Sequence, residues 1–175
     1  MSENASGNPN RQRLFACLDK LAIVHHTEEH EAVFTVEESR EIKSRMPGGH
    51  SKNLFLKDKK GAVSLVTAHS ETKVDLVGLG KAIGAKGRLS FGKPELMREI
   101  LGVEPGSVTP FSLINEGASA LANVIFDEAL MVADPVWFHP LENTASTAIS
   151  AADLQKFAVH LGFAPKIMGL ADPKG

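Results

Sequence analysis

A single α/β domain, with a mixed and mostly antiparallel β-sheet flanked by helices, is the fold that this chain predicts. Three observations predict it. Helix and strand signatures alternate irregularly along the chain, the pattern of a sheet with helices packed on it. The alternating runs 53–58 and 62–69 are joined by Lys59-Lys60-Gly61, which reads as a hairpin and makes part of the sheet antiparallel. The length, 175 residues, suits one well-buried domain and is short for two.

In order, residues 9–22 predict a first helix. Asn8 can cap it, Pro9 suits its first position, and Leu14, Leu18, Leu21 and Ala22 recur on one face. The β-branched run 23–27 predicts a short strand. Thr35-Val36-Glu37-Glu38 is a capping box, so a second helix begins there and ends before Met46-Pro47. Beyond the hairpin, residues 74–83 predict a helix stopped by Gly84, and 89–92 are too few to assign. Lys93-Pro94-Glu95 opens a helix that reaches Leu101 and is closed by Gly102. A loop fenced by Pro105 and Pro110 leads into 111–114. Asn115-Glu116-Gly117 then turns the chain toward a strand near 123–126. Val136-Trp137-Phe138 is an apolar run stopped at His139-Pro140. Residues 150–161 predict the last helix, capped by Ser150, and a terminal strand is expected near 166–170.

The first ten residues are polar and hold no apolar core, so 1–10 are expected to be a disordered lead rather than a secretory leader, with the domain itself at 11–175. No apolar run approaches the roughly 20 residues of a membrane helix, and no membrane partner is expected. The one cysteine, Cys17, excludes an internal disulfide and sits among leucines as a small apolar residue. A reducing, cytoplasmic setting is expected.

Charge is unevenly spread. Between Lys52 and Lys93 nine basic residues face three acids, a net +6 inside a chain whose total is −2. Such a segment can be the footprint of a polyanion; the plain alternative is a set of solvated lysines. No aromatic residues interleave with the charges as a stacking platform would require.

The stretch on which the candidate chemistry centres is Gly48-Gly49-His50-Ser51-Lys52-Asn53, a glycine turn entering a strand. Glycines permit close backbone approach, and adjacent strand residues Lys52 and Asn53 must face opposite ways. Gly106-Ser107-Val108-Thr109-Pro110 is a second candidate: a loop open at its glycine and stiff at its proline can aim several N–H groups at one oxygen. His25, His26 and His30 include an i, i+4 pair, but no glutamate follows His26 and no second ligand cluster exists, so neither metal nor other cofactor is expected. No Gly-x-Ser-x-Gly elbow is present, and the glycines at 78–87 lie at a helix end rather than between strand and helix.

Together these pieces resemble one family. Phe34-Thr35-Val36-Glu37-Glu38, Lys52 through Asp58, Asp75-Leu76, Leu89-Ser90-Phe91-Gly92, Leu101 through Pro110 and Phe138 through Thr144 resemble, in order, the freestanding Ala-tRNA(Pro) deacylases. These are relatives of the editing domain of bacterial prolyl-tRNA synthetase, in the YbaK superfamily. The resemblance implies a hydrolase that removes alanine from mischarged tRNA(Pro). It implies Lys52, Asn53, the Gly106, Ser107, Thr109 and Pro110 loop, and His139 as the catalytic surroundings, with Lys86 and Arg88 on the tRNA. Phe15, His30, Val33 and Phe34 are expected near the aminoacyl pocket, with ordinary core roles as the alternative. The partners it implies are the alanine-bearing acceptor end of tRNA(Pro) and, in passing, prolyl-tRNA synthetase, but not DNA. Editing of serine or cysteine, or tRNA binding without hydrolysis, are the competing readings. The chemistry is undemanding, because an aminoacyl ester needs little beyond a placed water and an oxyanion stabiliser.

Overall fold

The computed structural model describes residues 8–32 and 36–172, with the side chains of 36–39 excepted. Helix α1 (Pro9–Lys20) begins where the sequence places its cap. The Asn8 side chain accepts from the amides of Asn10 and Arg11, so Pro9 and Asn10 belong to the helix and not to a lead segment; residues 1–7 lie outside the description. The other end of α1 corrects an expectation. Ala22 adopts φ 58°, its amide returns to the Asp19 carbonyl, and the amide of Ile23 returns to that of Leu18. This paired closure carries Ile23 into the same core as Leu18. Ile23 is thus the apolar latch of a helix end, and strand β1 (His26–Glu29) starts only after it.

Helix α2 (Val36–Ser44) stops before Pro47; Thr35, the expected cap, lies outside the described residues. Strand β2 (Gly49–Lys57) reaches further back than its alternation suggested. A Cβ on Gly48 would lie 2.4 Å from the Pro135 carbonyl oxygen, and one on Gly49 would lie 2.5 Å from the Ala133 Cβ. These glycines therefore admit another stretch of backbone. The rest follows as β3 (Val63–His69), α3 (Leu76–Ala82), β4 (Ser90–Phe91) and α4 (Pro94–Leu101), then two short 3₁₀ turns. After these come β5 (Asn123–Asp127), α5 (Glu128–Met131), β6 (Val136–Phe138), β7 (Ala145–Ile149), α6 (Ala151–His160) and β8 (Lys166–Met168). α3 is shorter than expected because Asp75 caps it, accepting from the Gly78 amide, while Val74 bridges to Ala171.

One mixed sheet of eight strands runs β1-β7-β6-β2-β3-β5-β8, with β4 also on β2. Four pairings are antiparallel (β1/β7, β6/β7, β2/β3, β2/β4) and three are parallel (β2/β6, β3/β5, β5/β8). β6 meets β2 only at Gly49 and His50, and β4 meets it only at Leu56 and Lys57. Between them Lys52, Asn53 and Leu54 pair with β3 alone.

The larger core holds Leu14, Leu18, Phe55, Leu65 and Phe126, with Phe111 set edge-on to both Phe138 and Phe157 at 5.6 Å. A smaller one, with Leu56, Val66, Ala68, Leu79 and Leu89, lies under α3. Phe55 and Leu56 enter different cores, as strand alternation requires. The same alternation sets the fates of Asn53 and Lys52.

Candidate active site

The site is built outward from β2. The Asn53 carbonyl oxygen accepts from the Thr67 hydroxyl at 2.7 Å, and its amide nitrogen points to the Ser51 hydroxyl at 3.4 Å. Ser51 in turn donates to the Trp137 carbonyl at 2.8 Å. The Asn53 amide is therefore held in one orientation. Lys52 lies opposite Ala68 on the face that carries the smaller core, and among the described residues it forms no ion pair.

On the Asn53 side a cavity of about 210 Å³ opens, lined by His30, Ser51, Asn53, His139 and Ser146, with His50 and Trp137 beside α2 residues Ile42 and Lys43 and nearby Met46. Three imidazoles give it its character. His139 donates from Nδ1 to the Ala145 carbonyl at 2.9 Å, which leaves Nε2 without a partner among the described residues. Burial, reinforced by the neighbouring His30, pushes its pKa below the usual histidine value despite that backbone bond, so the ring is neutral and Nε2 is an acceptor. His50 donates to the Met46 carbonyl and stacks on Trp137, and burial lowers its pKa too. His30 donates from Nδ1 to the Glu31 carbonyl, and its Nε2 meets the Ser146 hydroxyl, both at 2.9 Å. Its ring lies 6.3 Å from that of His139.

Of the residues expected at the site, Asn53, His139 and His30 therefore share one cavity. Lys52 does not line it. Phe15 is also elsewhere, stacked on His25 at 5.2 Å and under the Arg11 guanidinium. Val33 and Phe34 lie outside the described residues. In the second loop Gly106 has φ 94° and Ser107 is buried. The Thr109 hydroxyl accepts from the Phe111 amide, and Pro110 opens a 3₁₀ turn. The side chains there are committed to the fold, but the amides of Gly106, Val108 and Thr109 donate to no described residue, whereas that of Ser107 donates to Glu104. The loop does not line the cavity. A Cβ on Gly106 would meet the Asn143 side chain at 3.5 Å, which places the loop beside the segment that follows His139.

Lys86 and Arg88 are exposed in the loop after α3, apart from the cavity. Arg88 stands between an apolar cleft floored by Leu76, Val77 and Leu89 and a basic cleft rimmed by Lys57, Lys59 and Lys60. Sequence reasoning missed His50, Trp137 and Ser146. His50 and the single tryptophan could have been suspected from their places beside the glycine turn and at the His-Pro stop. Ser146 carried no such signal, because β7 itself was not foreseen.

A mixed sheet with a small histidine-lined cavity beside a stretch of its central strand that is paired on one edge alone defines a compact α/β domain suited to a small polar ligand. The family model for the aminoacyl-tRNA editing domain matches residues 30–157. The chain is 36% identical over 147 residues to the prolyl-tRNA editing protein ProX of Acetoanaerobium sticklandii, an alignment covering 83% of this chain and 88% of that protein. It is 29% identical over 151 residues to the multifunctional Ser/Thr-tRNA deacylase ProXp-y of Escherichia coli, covering 85% and 83% respectively. In fold it is similar to a crystal structure described as a candidate trans-editing enzyme for prolyl tRNA synthetase. The TM-score is 0.72 at 21% identity, over 95% of this chain and 99% of that one. The chain belongs to the aminoacyl-tRNA editing domain family.

Proposed function

We propose that this protein is a trans-editing hydrolase that removes alanine from mischarged tRNA(Pro), meeting prolyl-tRNA synthetase only in passing. The cavity carries the reading. At about 210 Å³ it is smaller than the roughly 300–1,000 Å³ of sites that enclose whole cofactors or drug-sized ligands. It holds an aminoacyl group and leaves the nucleotide outside. A pocket built for proline discriminates weakly against smaller alanine, since a missing methylene is worth only about 1–3 kcal/mol. A second, smaller site supplies the rest by exclusion.

In this reading the attacking water donates a hydrogen bond to His139 Nε2, and the Asn53 amide fixes the substrate at the cavity mouth. Water adds to the ester carbonyl and the carbon–oxygen bond to the terminal ribose breaks. The products are free alanine and a tRNA whose ribose hydroxyl has regained a proton. The amides of Gly106, Val108 and Thr109, which donate to no described residue, are the proposed donors to the developing oxyanion, in a loop beside the segment that follows His139. Lys52, on the opposite face from Asn53, is better placed to hold a phosphate of the terminal nucleotide than to enter the cavity.

A second reading has its own support. The hydroxyls of Ser51 and Ser146 and the Asn53 amide could pair with a substrate hydroxyl, and one relative is named for serine and threonine. The test is deacylation of Ala-, Ser-, Thr- and Pro-tRNA(Pro) by the purified protein. Cleavage of the alanyl ester with the prolyl ester spared supports the first reading. Preference for the hydroxylated residues supports the second, and no cleavage of any ester overturns both.

A further inference from the structure

Helix α1 carries a charge where its spacing calls for an apolar side chain. Arg11, Leu14 and Leu18 share the stripe of α1 that faces the interior; the two leucines are fully buried and Arg11 is only 2% exposed. The guanidinium lies 5.7 Å from the centre of the Phe15 ring and reaches two carboxylates on separate segments. Its Nη2 donates to Glu29 Oε2 at 2.7 Å, and its Nε faces Glu142 Oε2 at 3.5 Å. The latter two atoms are buried, and among the described residues neither has a hydrogen bond. An apolar side chain would fill this position without the cost of desolvating charge, so stability alone does not call for an arginine. What a guanidinium adds is a planar fork that sets the direction of its partners.

Both partners sit on segments that carry histidines of the cavity. Glu29 ends β1 and immediately precedes His30; Glu142 lies in the turn between His139 and β7. That turn contains a strained residue. Leu141 is held at φ 71°, a left-handed conformation that side chains rarely adopt, with its side chain packed in the larger core. The turn is closed by the His139 ring itself, whose Nδ1–H donates to the Ala145 carbonyl, and by the His30 amide, which donates to the Thr144 carbonyl, both at 2.9 Å. The path of residues 140–144 therefore decides where His139 Nε2 points. Among the described residues Glu142 forms no ion pair other than that with Arg11.

We propose that Arg11 is a positioning residue for the hydrolysis: bridging Glu29 and Glu142, it holds the His139 turn against the His30 segment and so fixes His139 Nε2 in the cavity wall. Arg11 itself does not line the cavity, so it acts only through the groups it holds. The effect on rate rests on the editing reading above. The effect on the imidazole does not, because it is a property of the folded chain without substrate.

The experiment compares the wild type with Arg11→Met, which removes the charge and keeps an unbranched stem beside Phe15, by two readouts. The first is the ring-nitrogen NMR signals of His139 at neutral pH, assigned by their loss in His139→Ala. In the wild type they should report the Nδ1–H tautomer; in Arg11→Met they should move toward the mixed tautomers of a free imidazole. The second is a double-mutant cycle in steady-state deacylation. Arg11→Met alone should lower kcat about 10- to 100-fold with KM little changed. Added to His139→Ala it should cost less than about twofold more, because the group it positions has gone. A purely structural role would lower the rate by the same factor in both backgrounds. Equal factors, or an unchanged tautomer in folded Arg11→Met, overturn the proposal. Glu142→Leu leaves Arg11 paired with Glu29 and decides the matter if Arg11→Met fails to fold: it should move the same signals, and an unchanged His139 there overturns the proposal. If the wild type cleaves no mischarged ester, the editing reading fails, and the His139 signals still decide whether Arg11 positions the ring.

Discussion

The Nδ1–H of His139 donates to the carbonyl of Ala145 across 2.9 Å, and that bond decides what the rest of the ring can do. With Nδ1 occupied and the ring kept neutral by burial, Nε2 is left as a fixed acceptor in the cavity wall. Replacing His139 by alanine should lower kcat by on the order of 10², the scale of losing one positioned proton acceptor. Because protonation abolishes the acceptor, wild-type kcat should hold down to a pH below 6.5, the ordinary histidine value, and fall in more acid solution. A pH–rate profile checks this. An unchanged rate in His139→Ala would remove the residue from the mechanism.

The same burial makes stability depend on pH. His139 and His50 both have pKa values lowered chiefly by burial, so the unfolded chain binds protons more readily than the folded one. Their neutral forms give full stability above about pH 6.5. Stability is lost as pH falls below that value, until the lowered folded-state pKa values are passed. Thermal melts between pH 7.5 and 5 should show Tm declining with acidity. His50→Gln should flatten the decline in part, and an equally steep curve would show that other groups carry it.

Lys52 is tested by separating binding from chemistry. With no ion pair among the described residues, this cation on the half-open stretch of β2 should contribute a charge-assisted contact to the substrate, worth about 1.5–3 kcal/mol, or roughly 10- to 100-fold in kcat/KM. Lys52→Ala should lose that factor and Lys52→Arg should recover part of it. Recovery would favour a phosphate contact, which a guanidinium can also make. A loss confined to kcat, with no recovery in Lys52→Arg, would place the ammonium at the developing charge instead.

Much of this architecture could be read from the chain because its signals are local. Asn8 and Ser150 cap helices as their residue types require, and Gly84 and Gly102 take the left-handed turn at helix ends. Ala22 does the same without being glycine, and for that reason the segment after α1 was misread as strand. β7 escaped notice because Ala145-Ser146-Thr147 resembles a loop in composition. Its polar groups are satisfied only by distant partners, Thr147 by the Thr27 hydroxyl and Ser146 by His30. The opposed faces of Lys52 and Asn53 follow from strand period alone. That Asn53 on β2, His30 just after β1 and His139 just after β6 should meet in one cavity is a tertiary fact with no local trace.

The contact that sets the geometry of Asn53 is itself testable. Thr67 is fully buried on β3 and pairs with Asn53 across the two strands; its hydroxyl donates to the Asn53 carbonyl at 2.7 Å. Thr67→Val keeps the volume and β-branching but removes the donor, leaving a half-buried carbonyl unpaired at a cost of about 1–3 kcal/mol. The Asn53 amide is then free to turn its nitrogen away from Ser51, and activity should fall further than the melting temperature alone would explain. Thr67→Ser retains the hydroxyl and should recover the activity while remaining less stable for want of the methyl group. Equal activity in Thr67→Val and the wild type would mean that the orientation of Asn53 has no part in catalysis. Its place beside His139 would then be one of packing.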